Sequence, residues 1–136
     1  FIHQYLLKNK DQPIYILVGK GNNGGDALFV AEYLQLWSRQ VTIIMFQDPW
    51  KATELTQQQF NRVEARSVTI EYEPDRLFEL NDILMIDGLC GIGATGPLRS
   101  PYSETIAQVN TIPATRLAID IPSGLSTDKD IVFQSD

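Results

Sequence analysis

Among its 136 residues the chain has one cysteine and one histidine. A single Cys90 excludes an intrachain disulfide and suits a reducing compartment. A reactive thiol would need a base, and His3 lies far away in sequence. A free cysteine ordinarily packs as a small hydrophobe, so a buried, inert Cys90 is the expectation. Basic residues are scarce as well. Lys+Arg 11 against Asp+Glu 17 gives a net charge of -6. Nucleic acid and anionic membranes would be repelled at long range, so neither is expected as a partner. No stretch approaches the roughly 20 apolar residues of a membrane helix. No signal peptide is visible in a chain that starts at Phe1, and a cytoplasmic location is expected. There is no internal repeat, low-complexity tract or linker. With 43% hydrophobic residues the chain can bury a core, and residues 1–136 suit one domain.

What is present alternates between two kinds of segment. Pro13–Val18 is short, continuous and apolar, as a buried strand is. Val41–Phe46 reads as a second strand, "SVTIEY" as a weaker one, Asp82–Asp87 as another, and Thr115–Ile121 as the last. Between them, "FIHQYLLKNK" looks like the end of a helix. Ala27, Val30, Ala31 and Leu34 recur at helical spacing, Glu54–Ala65 is polar and helix-prone, and "YSETIAQVN" predicts a further helix. Strands that are apolar throughout are covered on both faces, which marks a parallel sheet. The expected fold is a doubly wound α/β sheet, mostly parallel, with helices on both faces. In such sheets ligands bind beyond the carboxyl ends of the strands.

The first strand runs into "GKGNNGGD", Gly19–Asp26, and then into a helical pattern. Read as a loop, this stretch aims free N–H groups and a helix N-terminus at one point, a geometry that favours phosphate. Gly19, Gly21 and Gly24, with Asp48 some twenty residues on, match the dinucleotide-binding spacing. That match is weak alone. Asp26 falls where a pyrophosphate would sit and would repel it unless a cation intervened. Asn22 and Asn23 offer amide donors and carbonyl acceptors suited to a sugar, a base or a metal ion. The plainer alternative is a turn, with Asp26 as helix N-cap.

Three more features follow strands. Asp87 closes an apolar strand, either as a turn cap or as a cation ligand. With an Asn23 carbonyl and the Ser123 hydroxyl it would make an all-oxygen set for a hard ion, and one carboxylate among neutral oxygens favours K⁺ over a divalent ion. "GIGATGPLR" is a second glycine-rich loop whose amides, with Arg99, could hold phosphate; the alternative is a plain surface loop. Asp120, one residue before the end of "LAIDI", is expected to be partly desolvated. That pushes its pKa upward and suits a general acid or base, unless following amides simply satisfy it.

"GKGNNGGDALFVA", "DGLCGIGATGPLR" and "AIDIPSGLSTD" resemble, in order and spacing, the three signature blocks of the YjeF N-terminal domain family, the NAD(P)H-hydrate epimerases. The resemblance covers about Pro13 to Asp128. It implies a Rossmann-like domain that interconverts the R and S forms of NAD(P)H hydrate, which carries a hydroxyl at C6, with one K⁺ bound nearby. Carried over block by block, it implies that Asn22, Asn23, Gly24, Gly25 and Asp26 contact the nucleotide. Gly91, Ile92, Gly93, Ala94, Thr95, Gly96 and Pro97 would hold phosphate. Asn23, Asp87 and Ser123 would ligate K⁺, and Asp120 would contact the reacting end as the acid/base. Ala27 stands where the family usually has another glycine, a helix-compatible change.

The resemblance further implies a domain shortened at both ends, and a dehydratase as neighbour, fused or separate. A homodimer is a possible assembly. Two other readings compete. Similar domains serve as non-catalytic binding or scaffold modules, but a scaffold has no need of a carboxylate at a strand end. An ordinary NAD-dependent oxidoreductase would predict tight binding of unmodified NAD⁺, and Asp26 argues against it.

Overall fold

Five apolar residues in a row, Ile14–Val18, form the strand β1, and all five are buried. The computed structural model describes residues 2–19, 22–37, 39–46, 49–73, 77, 79–89, 107, 111–119 and 133–135. Along the chain α1 (Ile2–Lys8) precedes β1, which is followed by α2 (Asn22–Leu36) and β2 (Val41–Met45). A 3-10 turn (Pro49–Lys51), α3 (Glu54–Ala65), β3 (Thr69–Glu71), β4 (Ile83–Gly88), β5 (Ala114–Ala118) and β6 (Phe133–Ser135) complete the order.

The six strands among the described residues lie in the order β3-β2-β1-β4-β5-β6. The first five are parallel and β6 runs antiparallel to β5. The chain therefore moves outward from β1 to β3, then returns to lay β4 on the other side of β1. That reversal opens a crevice at the carboxyl ends of β1 and β4. The tips are level there, since Val18 is in register with both Met45 and Gly88.

Side-chain alternation divides the core. Ile14, Ile16 and Val18 of β1, with Ile43, Leu84 and Ile86, face a cluster completed by Ala27, Leu28, Ala31 and Leu34 of α2 and by Leu6 of α1. Tyr15, Leu17, Ile44 and Met85 face the other side, where Leu77, Leu89 and Ile112 cover them. The described helices thus belong to the first face. The helix expected over 102–110 lies outside the described residues except for Ala107, which is helical. Polar α3 is held by Thr56, Phe60 and Val63, buried at helical spacing. Burial of a side chain the size of Phe60 contributes about 1.5–3 kcal/mol. Thr53 starts this helix as N-cap, its Oγ1 accepting the Thr56 N–H at 3.3 Å.

Most strand bounds shift by a residue or two from expectation, and larger differences occur at α2, β5 and β6. α2 begins at Asn22, inside the stretch read as loop. β5 ends at Ala118 rather than Ile121, although the Ile119 N–H still donates to the Asp87 carbonyl at 3.1 Å. The edge strand β6 was not anticipated; three residues are too few for a period-two pattern to stand out.

Helices α2 and α3 are joined by a buried acid. Glu32 is 4% exposed, and its carboxylate accepts from Arg62 and Arg66, both at 3.0 Å. The Arg62 hydrogen bond holds the Glu32 pKa below its usual value, against the opposing effect of desolvation. A carboxylate depressed in the fold stabilises it above the ordinary glutamate pKa. The benefit fades as pH falls through the depressed value. Melting temperature is therefore expected to drop below about pH 4.3, the ordinary glutamate range, and Glu32→Gln should flatten that drop. Equal acid slopes for the two proteins in a pH-resolved thermal melt would contradict this role. No helix among the described residues is long and apolar enough to cross a membrane.

Candidate functional site

The turn after β1 is shorter than its composition suggests. β1 ends at Val18 and α2 begins at Asn22, so Asn22–Asp26 are the opening turns of a helix. Gly24 explains the geometry. A Cβ there would collide with the Gly19 carbonyl oxygen and lie 3.3 Å from Val18 Cγ1. The helix start is thus pressed directly onto the end of β1. Gly25 faces the neighbouring helix, where a Cβ would stand 2.9 Å from Thr56 Oγ1. Side chains are missing from these positions so that α2 can close onto β1 and α3. The first four N–H groups of a helix have no partner inside it and carry partial positive charge. Here they belong to the residues just beyond the β1 tip, at the crevice.

Asp26 is not the N-cap. It sits five residues into α2 and is exposed. Its carboxylate is a turn removed from the helix's first N–H groups. Asn22 and Asn23 open the helix, Gly24 and Gly25 are buried, and the two asparagine side chains lie outside what is described.

Asp87 is half-buried, next to last in β4, and in register with Leu17 and Ala118. Its Oδ1 accepts the Leu89 N–H at 3.0 Å, so the turn-capping contact considered from the sequence is formed. The exits of β1 and β4 touch at this point. The Gly19 N–H donates to the Gly88 carbonyl at 3.1 Å, and a Cβ on Gly19 would collide with the Leu89 carbonyl oxygen. The β5 exit joins them through Ile119 and the Asp87 carbonyl.

The structure therefore brings together the glycine turn, the start of α2 and Asp87. Asp120, Ser123, Gly91 to Pro97, Arg99, Asp48 and Cys90 lie outside the described residues. Among the described residues no group of three or more His, Cys, Asp or Glu is placed to hold a metal ion. Thr56 was missed from the sequence. It is fully buried against Gly25, and its signal was the Thr-x-x-Thr spacing with Thr53, whose Oγ1 lies 3.0 Å from Thr56 Oγ1.

A polar concavity of about 270 Å³ opens elsewhere, lined by Gln35, Arg39, Gln40, Val41, Ser67 and Thr69. It lies where β2 and β3 begin, the edge opposite to that used by ligands in open α/β sheets. Its Arg39 guanidinium is already occupied, donating to the carbonyls of Leu6, Asn9 and Gln12 at 3.2, 2.9 and 3.1 Å. It serves to hold α1 and its following turn in place.

Residues 1–133 match the family model described as YjeF-related protein N-terminus. An NAD(P)H-hydrate epimerase of Rhodopirellula baltica is 38% identical over 120 residues, covering 85% of this chain and 48% of the relative. A bifunctional NAD(P)H-hydrate repair enzyme of Leishmania braziliensis is 39% identical over 116 residues, covering 83% of this chain and 21% of that protein. The chain thus spans about half of the one and about a fifth of the other. Among solved structures, yeast ynu0 (YNL200c) superposes with a TM-score of 0.75 at 23% identity, over 88% of this chain and 52% of the yeast chain. That likeness concerns the fold.

Proposed function

Since the chain belongs to the YjeF-related N-terminal family, we propose that it is an NAD(P)H-hydrate epimerase, interconverting the R and S forms of the C6-hydrated reduced nicotinamide nucleotide. The observation that supports this most is the packing of Gly24 on the Gly19 carbonyl beside the β4 exit. It sets a helix N-terminus against a carboxylate at one sheet edge, as a phosphate-bearing substrate with a reactive ring requires. In this reading the amides of Asn22 to Gly25 and of the Gly91–Pro97 loop bind the nucleotide's phosphates. Asp120 is the acid and base.

The chemistry needs little more. The C6 hydroxyl lies next to the ring nitrogen, so the hydrate is a hemiaminal. Asp120 gives its proton to the hydroxyl, the C–O bond breaks, and water leaves. The nitrogen lone pair forms an iminium with C6. Water adds to the opposite face and returns a proton to the Asp120 carboxylate. Atoms and charge balance, and no hydride moves.

The donor set fits K⁺. Asp87, an Asn23 carbonyl and Ser123 would supply hard oxygens with one formal negative charge. Bound K⁺ would supply a fixed positive charge at which the anionic nucleotide is held. A dehydratase, fused or separate, is the expected consumer of the S form. The test couples both ideas. Mixed hydrate is supplied with an S-specific dehydratase, and the chain is added. It should let the R form be consumed in K⁺, with at least a tenfold loss of rate in Na⁺. Persistence of the R form in K⁺ buffer would reject the epimerase. Equal rates in the two salts would reject the ion site alone.

A further inference from the structure

We propose that the indole face of Trp50 is the platform on which the adenine base of the nucleotide stacks. This rests on the nucleotide-binding reading above. Trp50 is 60% exposed, yet its surroundings are built rather than loose. It lies in the 3-10 turn that follows β2, at the same sheet edge as the glycine turn. Pro49 before it is buried, and the Ala52 N–H closes the turn onto the Pro49 carbonyl at 3.1 Å. From α3, Gln57 Nε2 donates to the Trp50 and Ala52 carbonyls at 3.1 and 2.8 Å. The Phe60 ring stands nearly perpendicular to the indole, with centroids 6.1 Å apart and an interplanar angle of 74°. An aromatic side chain held this way loses little freedom when a planar ring settles on it.

Two connections tie this turn to the glycine site. The Phe46 N–H donates to the Val18 carbonyl at 3.1 Å, so the exits of β2 and β1 are laced together just before Gly19. Thr53, three residues after Trp50, caps α3 and contacts Thr56, which packs against Gly25. Strand order then decides which end of the nucleotide lies here. Asp87 is on β4 and Asp120 follows β5, both on one side of β1, whereas β2 is on the other. A dinucleotide with its phosphates over the start of α2 and its reacting ring toward β4 has its second base over β2. Single exposed apolar side chains are ordinary. This one is set apart by its place at the ligand edge and by the two carbonyl bonds that fix its turn.

Trp37 and Trp50 are the two tryptophans. A Trp37→Phe background therefore leaves Trp50 as the sole indole reporter. In that background the full chain is titrated with AMP and, separately, with nicotinamide mononucleotide. AMP should quench Trp50 emission saturably and the mononucleotide should not. Base–aromatic stacking predicts that Trp50→Ala weakens AMP binding, followed calorimetrically, by about 5- to 150-fold, and that Trp50→Phe restores most of it. In the epimerase assay Trp50→Ala should raise KM with kcat unchanged. Unchanged AMP affinity in Trp50→Ala, no AMP binding at all, or quenching by the mononucleotide alone would overturn the platform. Loss of epimerase activity in the unaltered chain, with AMP quenching intact, would instead overturn the epimerase reading and leave the platform standing.

Discussion

Replacing Asp120 with Asn is expected to lower the rate of epimerisation by about 10²–10⁴-fold, the usual contribution of one positioned acid–base group. Asparagine keeps the size of the side chain and offers a hydrogen bond, but it cannot deliver a proton to a departing hydroxyl. Nucleotide affinity, measured with AMP, should stay within about threefold, because phosphate and base are held by other groups. Position supports the choice. β5 ends at Ala118, the N–H of the following Ile119 bonds to the Asp87 carbonyl, and Asp120 is the next residue along the chain. The decisive readout is single-turnover conversion of the R form, which separates the proton transfer from product release. A variant retaining more than a tenth of the parent rate would remove Asp120 from the chemistry and return attention to Asp87.

Gly24→Ala is expected to be more damaging than the same change at Gly19 or Gly25. The added Cβ meets the Gly19 carbonyl oxygen, and Gly19 cannot yield. Its N–H is bonded to Gly88 and the Leu89 carbonyl blocks its other side. Overpacking of this kind costs about 3 kcal/mol, whereas alanine's helix propensity returns at most about 1 kcal/mol over glycine. The net loss is therefore about 2 kcal/mol, equivalent to roughly 5–10 °C in melting temperature for a chain of this length. Nucleotide affinity should fall in parallel, since the start of α2 must retreat from the crevice. Asp26→Ala, exposed on the same helix, is the control and should stay within about 0.5 kcal/mol of the parent. If the two variants melted together, close packing at Gly24 would not be what the glycines are for.

Much of the architecture was legible in one dimension. Continuous apolar runs such as Ile14–Val18 can be buried only with both faces covered, which implies a parallel sheet with helical cover, and five of the six described strands are parallel. The glycine turn after β1 and Asp87 near the end of β4 were legible for the same reason, because each adjoins the end of an apolar run. What a linear pattern could not supply was which backbone touches which. Glycine and asparagine in a row have the composition of a loop. They form a helix start here because α2 is pressed onto the Gly19 carbonyl and Thr56, partners 5 and 31 residues away. The alternative of Asp26 as helix N-cap fails for the same reason, since α2 already begins at Asn22. The Glu32 clamp and the setting of Trp50 were likewise invisible, since their partners, Arg62, Arg66, Gln57 and Phe60, lie on α3 or at its C-cap. The sequence by itself determined the fold class and the strand ends at which the glycine turn and Asp87 lie, because hydrophobic period and residue type act locally. Only the tertiary structure decided where α2 begins and which side chains stand beside it, because close contact between distant segments is a property of packing.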